Sequence, residues 1–279
     1  MGIVRGHQAR PIAVALVGIV FGGVMAVPVG AAGAAIGPDY KVTAVSDPPA
    51  VGGPGSTFSI FDTTKNAGAA TETESGTNYY LSLNDRKDAS DVILGGRGLF
   101  GLGKHEVSEG GLNAHVPADI APGKYHVIAC ADDSNNIVES NEANNCRKSP
   151  DKIALSNPDY TITSLSNPPA TGAPEATFSI FDTTLNSGGP TSIETGTNYY
   201  LSTDRKKDAS DVILGGRGLF GLATGESSSG GLNAHVPVDI ASGTYFVIAC
   251  ADDSNNVAEA NENNNCAHSA TRIVISSGT

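Results

Sequence analysis

From Pro38 onward the chain repeats itself without insertion or deletion. Pro38-Asp39-Tyr40 recurs as Pro158-Asp159-Tyr160, and Asp88 to Leu102 recurs unchanged as Asp208 to Leu222. About two-thirds of positions are identical between the copies. Any fold available to this sequence must therefore close within one repeat and occur twice. Residues 38–157 and 158–279 are read as two domains, joined at Ser156-Asn157-Pro158, a junction too short for free rotation. A duplication this well preserved keeps structural and functional residues alike, so identity between copies does not by itself mark a site.

Within a copy the signals are short strands between turn residues. With 34 Gly and 15 Pro in 279 residues, a helical bundle is excluded. Candidate strands are Tyr40 to Val45, Thr57 to Thr64, Thr77 to Ser82, Val92 to Leu94, Gly111 to Val116, Lys124 to Ala131 and Lys152 to Leu155, most of them rich in β-branched or aromatic residues. Seven strands per copy predict an all-β protein of two tandem immunoglobulin-like antiparallel β-sandwiches. Alternation directs Leu112, Ala114 and Val116 inward and Asn113 and His115 outward. The matched aromatics Tyr40, Phe58, Phe61, Tyr79, Tyr80, Phe100 and Tyr125 read mostly as core. Pro122-Gly123-Lys124-Tyr125 and its twin Ser242-Gly243-Thr244-Tyr245 have the form of a tyrosine corner opening the penultimate strand. There is no Trp and no Cys in the second strand, so the likeness to antibody domains is one of architecture only.

Ahead of the repeats, Arg5 and Arg10 precede an apolar stretch from Ile12 to Val29 and small residues from Gly30 to Ala35, the pattern of a secretory signal peptide over 1–34. Gly18, Gly22, Gly23 and Pro28 interrupt the stretch, which argues against a membrane anchor. The expectation is a secreted or surface protein, periplasmic as an alternative, with no membrane span after cleavage. The formal charge is −12 at pH 7, and cleavage would remove two Arg and no acid. Nucleic acid and anionic membranes are thereby disfavoured as partners, whereas cations or metal ions fit the balance.

Four cysteines, Cys130, Cys146, Cys250 and Cys266, fall two to a copy. In an exported chain they read as disulfides, and of the three connectivities the pairing Cys130–Cys146 and Cys250–Cys266 respects the repeat. A zinc thiolate site lacks the His to complete a tetrahedral shell.

Between each pair lies a polar loop. Asp132, Asp133, Asn135, Asn136, Glu139, Asn141, Glu142, Asn144 and Asn145 crowd the first, and Asp252, Asp253, Asn255, Glu259 and Glu262 mark the second. Such an oxygen-rich set suits a hard cation such as Ca²⁺. It is no EF-hand, because counting from Asp133 puts Val138 at the sixth position and Asn144 at the twelfth. The competing reading is Asp and Asn side chains capping successive turns, with no ion required. A second acidic group, Asp85, Asp88 and Asp91, has its counterpart in Asp204, Asp208 and Asp211, with Arg86, Lys87 and Arg205 placed to neutralise it.

Together with Pro38-Asp39-Tyr40, Asn66-Ala67-Gly68, Tyr80-Leu81-Ser82 followed by spaced Asp and Leu94-Gly95, and Pro122-Gly123-Lys124-Tyr125, the loop Ala131 to Asn145 resembles the CARDB family, the cell-adhesion-related domain found in bacteria. The second copy keeps the pattern through Asn261-Glu262-Asn263-Asn264-Asn265. The resemblance spans both copies and implies immunoglobulin-like sandwiches on exported proteins, with an adhesion or binding role. Family members are often appended to enzymes, and here no enzyme domain is expected beside the two copies.

The resulting expectation is a non-catalytic adhesion, binding or scaffolding protein that needs no cofactor, with calcium as the candidate ion and a cell-surface polymer or protein as its unidentified partner. A carbohydrate-binding accessory is the alternative. Strand neighbours Tyr79 and Tyr80, and Tyr199 and Tyr200, point to opposite faces, leaving one ring of each pair as an exposed stacking platform. A hydrolase is the third reading. Gly96-Arg97-Gly98-Leu99-Phe100-Gly101 matches a dinucleotide pattern but precedes no helix and reads as a turn, and neither G-x-S-x-G nor H-E-x-x-H occurs. His115 and His235, the His shared by both copies, fall on an outward face.

Overall fold

The computed structural model describes residues 37–276, so the leader expected over 1–34 lies outside the described residues. The first domain contains β1 (Tyr40–Val45), β2 (Val51–Gly52), β3 (Thr57–Asn66), β4 (Ser75–Ser82), β5 (Val92–Leu99), β6 (Val107–His115), β7 (Gly123–Ala131) and β8 (Cys146–Leu155). One sheet runs β1-β3-β6 and the other β2-β8-β7-β4-β5. Seven of these are the expected strands, six of them extended at one end, with β1 as expected and β6 stopping one residue early at His115. The two-residue β2 is additional and pairs parallel with β8, Val51 opposite Ala154.

The second domain repeats the plan with β9 (Tyr160–Leu165), β10 (Thr171–Gly172), β11 (Thr177–Asn186), β12 (Thr195–Ser202), β13 (Val212–Leu219), β14 (Ser227–His235), β15 (Gly243–Ala251), β16 (Cys266–His268) and β17 (Ile273–Ile275). Its sheets are β9-β11-β14 and β10-β17-β15-β12-β13, with β16 also on β15. No strand of the described residues is replaced by a helix, and the chain is all-β.

Alternation builds the core. On β7, Tyr125, Val127, Ala129 and Ala131 face inward against Tyr40, Ile60, Tyr79, Leu81 and Ala114. Ala114 and Val116 are buried while Asn113 and His115 are exposed, as their spacing requires. Tyr125 closes its corner by donating its hydroxyl to the Ala121 carbonyl at 2.8 Å, and Tyr245 does the same to Ala241 at 2.8 Å. Tyr125→Phe, which keeps the ring and deletes that bond, is expected to cost the first domain about 1 kcal/mol in a denaturant titration.

Not every aromatic joins the core. Phe61 is 60% exposed and Phe100 77%, and Phe181 and Phe220 behave alike. Phe61 lies between the inward residues Ile60 and Asp62, so strand alternation turns it out.

The Gly-rich stretch at Gly96 also departs from expectation, since it is strand β5 rather than a turn. Gly95 has φ +121°, and the ladder to β4 shifts register there, between Tyr79 and Tyr80. At Gly96 a Cβ would lie 2.2 Å from the Asn78 Oδ1, and at Gly110 one would lie 2.8 Å from the Arg97 Cδ. Gly96 thus makes room for Asn78, and Gly110 lets Arg97 reach across the sandwich to Asp62. Its Nε and Nη2 donate to the Asp62 carboxylate at 2.7 and 2.9 Å, and Tyr79 and Thr64 donate their hydroxyls to the same group. Asp62 is buried, so this charge is paired and hydrogen-bonded as burial demands. Asp182, Arg217 and Tyr199 repeat the arrangement.

Both disulfides form within a copy, Cys130–Cys146 and Cys250–Cys266. Each joins directly opposed residues of neighbouring strands, β7 to β8 and β15 to β16. Beyond the junction, Thr191 donates to the Pro54 carbonyl at 2.9 Å and Ser192 to that of Gly55. A Cβ on Gly53 would come within 1.8 Å of the Pro190 oxygen, so only glycine permits this approach.

Candidate functional site

The loop that each disulfide closes is stitched to the start of its own domain. Asp132 leaves β7 in the left-handed region, φ 46°, and its carboxylate accepts the backbone N–H groups of Asn136 and Ile137, both at 3.0 Å, together with the Ser75 hydroxyl. These bonds turn the chain and press Ile137 into the core. Glu139 then accepts the Tyr40 backbone N–H and the Asn145 side-chain amide, the latter at 2.8 Å. Ser140 donates its N–H to the Pro38 carbonyl at 2.8 Å, and Asn144 its side-chain amide to Asp39 at 2.9 Å. Pro38-Asp39-Tyr40 and the distant loop therefore fold as one unit.

At the centre of this unit, carboxylate oxygens of Asp132, Glu139 and Glu142 lie within 4.8 Å of one another, as do those of Asp252, Glu259 and Glu262. Burial, helped by the neighbouring Glu142 and Asp132 charges, pushes Glu139 up to about 7 against the pull of its bonds to Tyr40 and Asn145. Glu259 is likewise pushed up to about 7. The Oδ1 atoms of Asn144 and Asn145 are buried without a hydrogen-bond partner, as are those of Asn264 and Asn265. Donors here are all hard oxygens, and the residues fit a hard cation such as Ca²⁺.

Other expected ligands are not in this cluster. Asp133 turns instead to the outer face of β4, where it accepts Lys87 at 2.8 Å, Asn78 at 3.0 Å and the Tyr80 hydroxyl. Burial would raise it, but those bonds together hold it below the usual carboxylate range. Asp253 takes the same place with Tyr200, Asn198 and Lys207. Asn135 and Asn255 are exposed turn residues with φ 53° and 50°. Asp88 caps its own loop, accepting the Ser90 N–H at 2.8 Å and the Asn84 amide at 2.8 Å.

The tyrosine platform is not formed. Tyr79 is 0% and Tyr80 8% exposed, and Tyr199 and Tyr200 are 0% and 7%. Alternation does send Tyr80 to the outer face, but there it packs with Ile128 and Cys130 beneath the Lys87 ammonium, 5.1 Å from the ring centroid. Lys207 covers Tyr200 in the same way at 5.4 Å.

A family model for CARDB matches twice, over residues 37–149 and 157–269. The chain belongs to the CARDB family. Among solved structures it is similar to the CARDB domain of the PF1109 protein from Pyrococcus furiosus, in complex with di-metal ions. That match has 21% identity and a TM-score of 0.32, over 44% of this chain and 96% of that one. The solution structure of the same Pyrococcus domain matches at 20% identity and TM-score 0.32, over 43% and 95% of the two chains. Red sea bream transglutaminase matches at 12% identity and TM-score 0.26, over 86% of this chain and 31% of that enzyme. No curated protein matches the chain. Of the members of this acidic cluster, Asp132 is buried and Glu139 half-buried, a placement that no local motif announced.

Proposed function

We propose that this chain is an exported, non-catalytic binding protein, serving adhesion or scaffolding at the cell surface, whose two CARDB domains are each locked by a hard cation. The observation that carries the reading is the twin carboxylate cluster, Asp132, Glu139 and Glu142 and its counterpart. It sits where the loop after β7 grips the backbone entering β1. An ion there would neutralise Glu139 and Glu259, which burial otherwise drives toward protonation, and so fasten loop and strand together. The paired disulfides favour an oxidising compartment.

The test is thermal unfolding of the oxidised chain near pH 7.5, first in EDTA and then in millimolar Ca²⁺. A ligand that binds only the native state raises the melting temperature, and at about 100 times its Kd contributes about 2.7 kcal/mol. A rise of several degrees is expected, since about 1 kcal/mol moves a domain of this size by about 4 °C. Coincident melting in both buffers would leave the loops as self-capped turns. The adhesion part of the reading is tested by retention of the labelled protein on whole cells, and fails if none is retained.

A further inference from the structure

The overall acidity of the chain hides a basic face. Outward residues of β7 alternate with the core set, so Lys124 and His126 share the outer side of the sheet with Tyr80 and Ile128. Register places Lys152 opposite His126 and Lys148 opposite Ile128, on that same side. The loop after β4 adds Arg86 and Lys87. A depression of roughly 360 Å³ opens here, lined by Arg86, Lys87, Arg147 and Lys148, with Ile128, Ala143, Cys146 and one carboxylate, Asp85.

The second domain carries its own version. Phe246 stands where the first has His126, buried beneath two guanidinium groups, Arg272 at 4.6 Å and Arg205 at 5.2 Å from its ring centroid. Arg205, Arg272 and Lys206 line a second depression of roughly 480 Å³, three cations against the one carboxylate of Asp204.

Some of these groups are spent internally. Lys148 and His126 meet Asp85 at 2.8 and 3.2 Å, Lys87 meets Asp133, and Lys207 meets Asp253. Arg86, Lys124, Arg147, Lys152, Arg205, Lys206 and Arg272 pair with no carboxylate. Among the described residues, the other unpaired Lys and Arg are Lys41, Lys65 and Lys104. The free positive charge of an acidic protein is thus concentrated on one sheet face of each domain.

We propose that this face binds an anionic polysaccharide bearing carboxylates, a partner that deepens and rests on the surface-binding reading above. Charge complementarity selects an anion, and exposed Arg forks suit carboxylates. A sparse polyanion fits better than nucleic acid. Duplex DNA carries a charge about every 1.7 Å and would meet the acidic remainder of the molecule. Phe246 is also covered, leaving no ring here on which a base would stack.

The test uses the oxidised full chain in EDTA, with immobilised hyaluronan as the probe and dextran as its uncharged control. The natural protein should be retained on hyaluronan and not on dextran. Retention should weaken as salt rises past about 0.1 M, where exposed charges are screened within about 10 Å. Arg86→Glu with Lys152→Glu, and Arg205→Glu with Lys206→Glu, all exposed positions, should each weaken binding about tenfold or more. Unchanged binding by both variants overturns the proposal, as does no binding by the natural chain, or tighter binding to single-stranded DNA or to anionic vesicles. The calcium-dependent melting shift reports separately, because none of these substitutions touches the carboxylate cluster.

Discussion

In EDTA the protein is expected to lose stability as the pH rises from about 4.5 to about 7, and with saturating Ca²⁺ to gain stability over the same interval. Glu139 and Glu259 have folded-state values near 7 against an ordinary 4.5. Between those values the native state holds protons that the unfolded chain has released, so raising the pH favours unfolding. The penalty is absent below about 4.5 and complete above about 7. Its size is on the order of 3 kcal/mol per domain, from 1.36 kcal/mol per pH unit. A hard cation binds the deprotonated carboxylates, so its contribution grows as the protons leave, and the slope reverses. Asp133 and Asp253 are held below the usual carboxylate range, so their contribution is lost only at lower pH. Glu139→Gln with Glu259→Gln keeps an acceptor for the Tyr40 and Tyr160 N–H groups but cannot ionise. Melting curves of this variant should show neither slope. An unaltered pH profile in the double variant would remove these two glutamates as its source, and parallel profiles in EDTA and Ca²⁺ would remove the ion.

Much of this architecture was legible in the residues because it depends on short-range patterns. The repeat fixes the domain count, alternation fixes which side of β6 and β7 is buried, and the Cys spacing within each copy admits a bridge between opposed strands. The tyrosine corner follows from Pro122-Gly123-Lys124-Tyr125 alone. Failures arise where a distant group covers or pairs with the residue in question. Tyr80 is on the outer face as its position demands, yet Lys87, seven residues on, hides it. Asp132, Glu139 and Glu142 were among the loop acids, but only the fold separates them from Asp133, because the separation depends on Tyr40 and Lys87 on other elements. The glycines around Arg97 suggest a turn, whereas it lies on strand β5. A stronger signal was available in β3, where Ile60, Asp62 and Thr64 share one face. An acid on the core side of a strand requires a buried cationic partner.

Arg97→Met is expected to destabilise the first domain by about 3–5 kcal/mol, the cost of removing one partner from a buried ion pair. Asp62 would keep its Tyr79 and Thr64 bonds, but its charge would be stranded in the core between the two sheets. Removing the whole polar set should behave differently. Asp62→Leu, Arg97→Met and Tyr79→Phe together leave no buried charge and no orphaned phenol, and replacement of buried pairs by apolar groups is often neutral or better. The triple variant is therefore expected to melt within about 1 kcal/mol of the natural domain, and well above the single one. Since Arg217 and Asp182 stay intact, the second domain acts as an internal control. In calorimetry the single variant should split the unfolding into two transitions, one displaced and one near its original temperature. An Arg97→Met protein that melts like the natural chain would mean that Asp62 without its partner costs the fold nothing. A triple variant as weak as the single one would mean that the pair stabilises the sandwich outright, and that the glycines on β5 and β6 make room for a net contribution to folding rather than for a charge merely tolerated there.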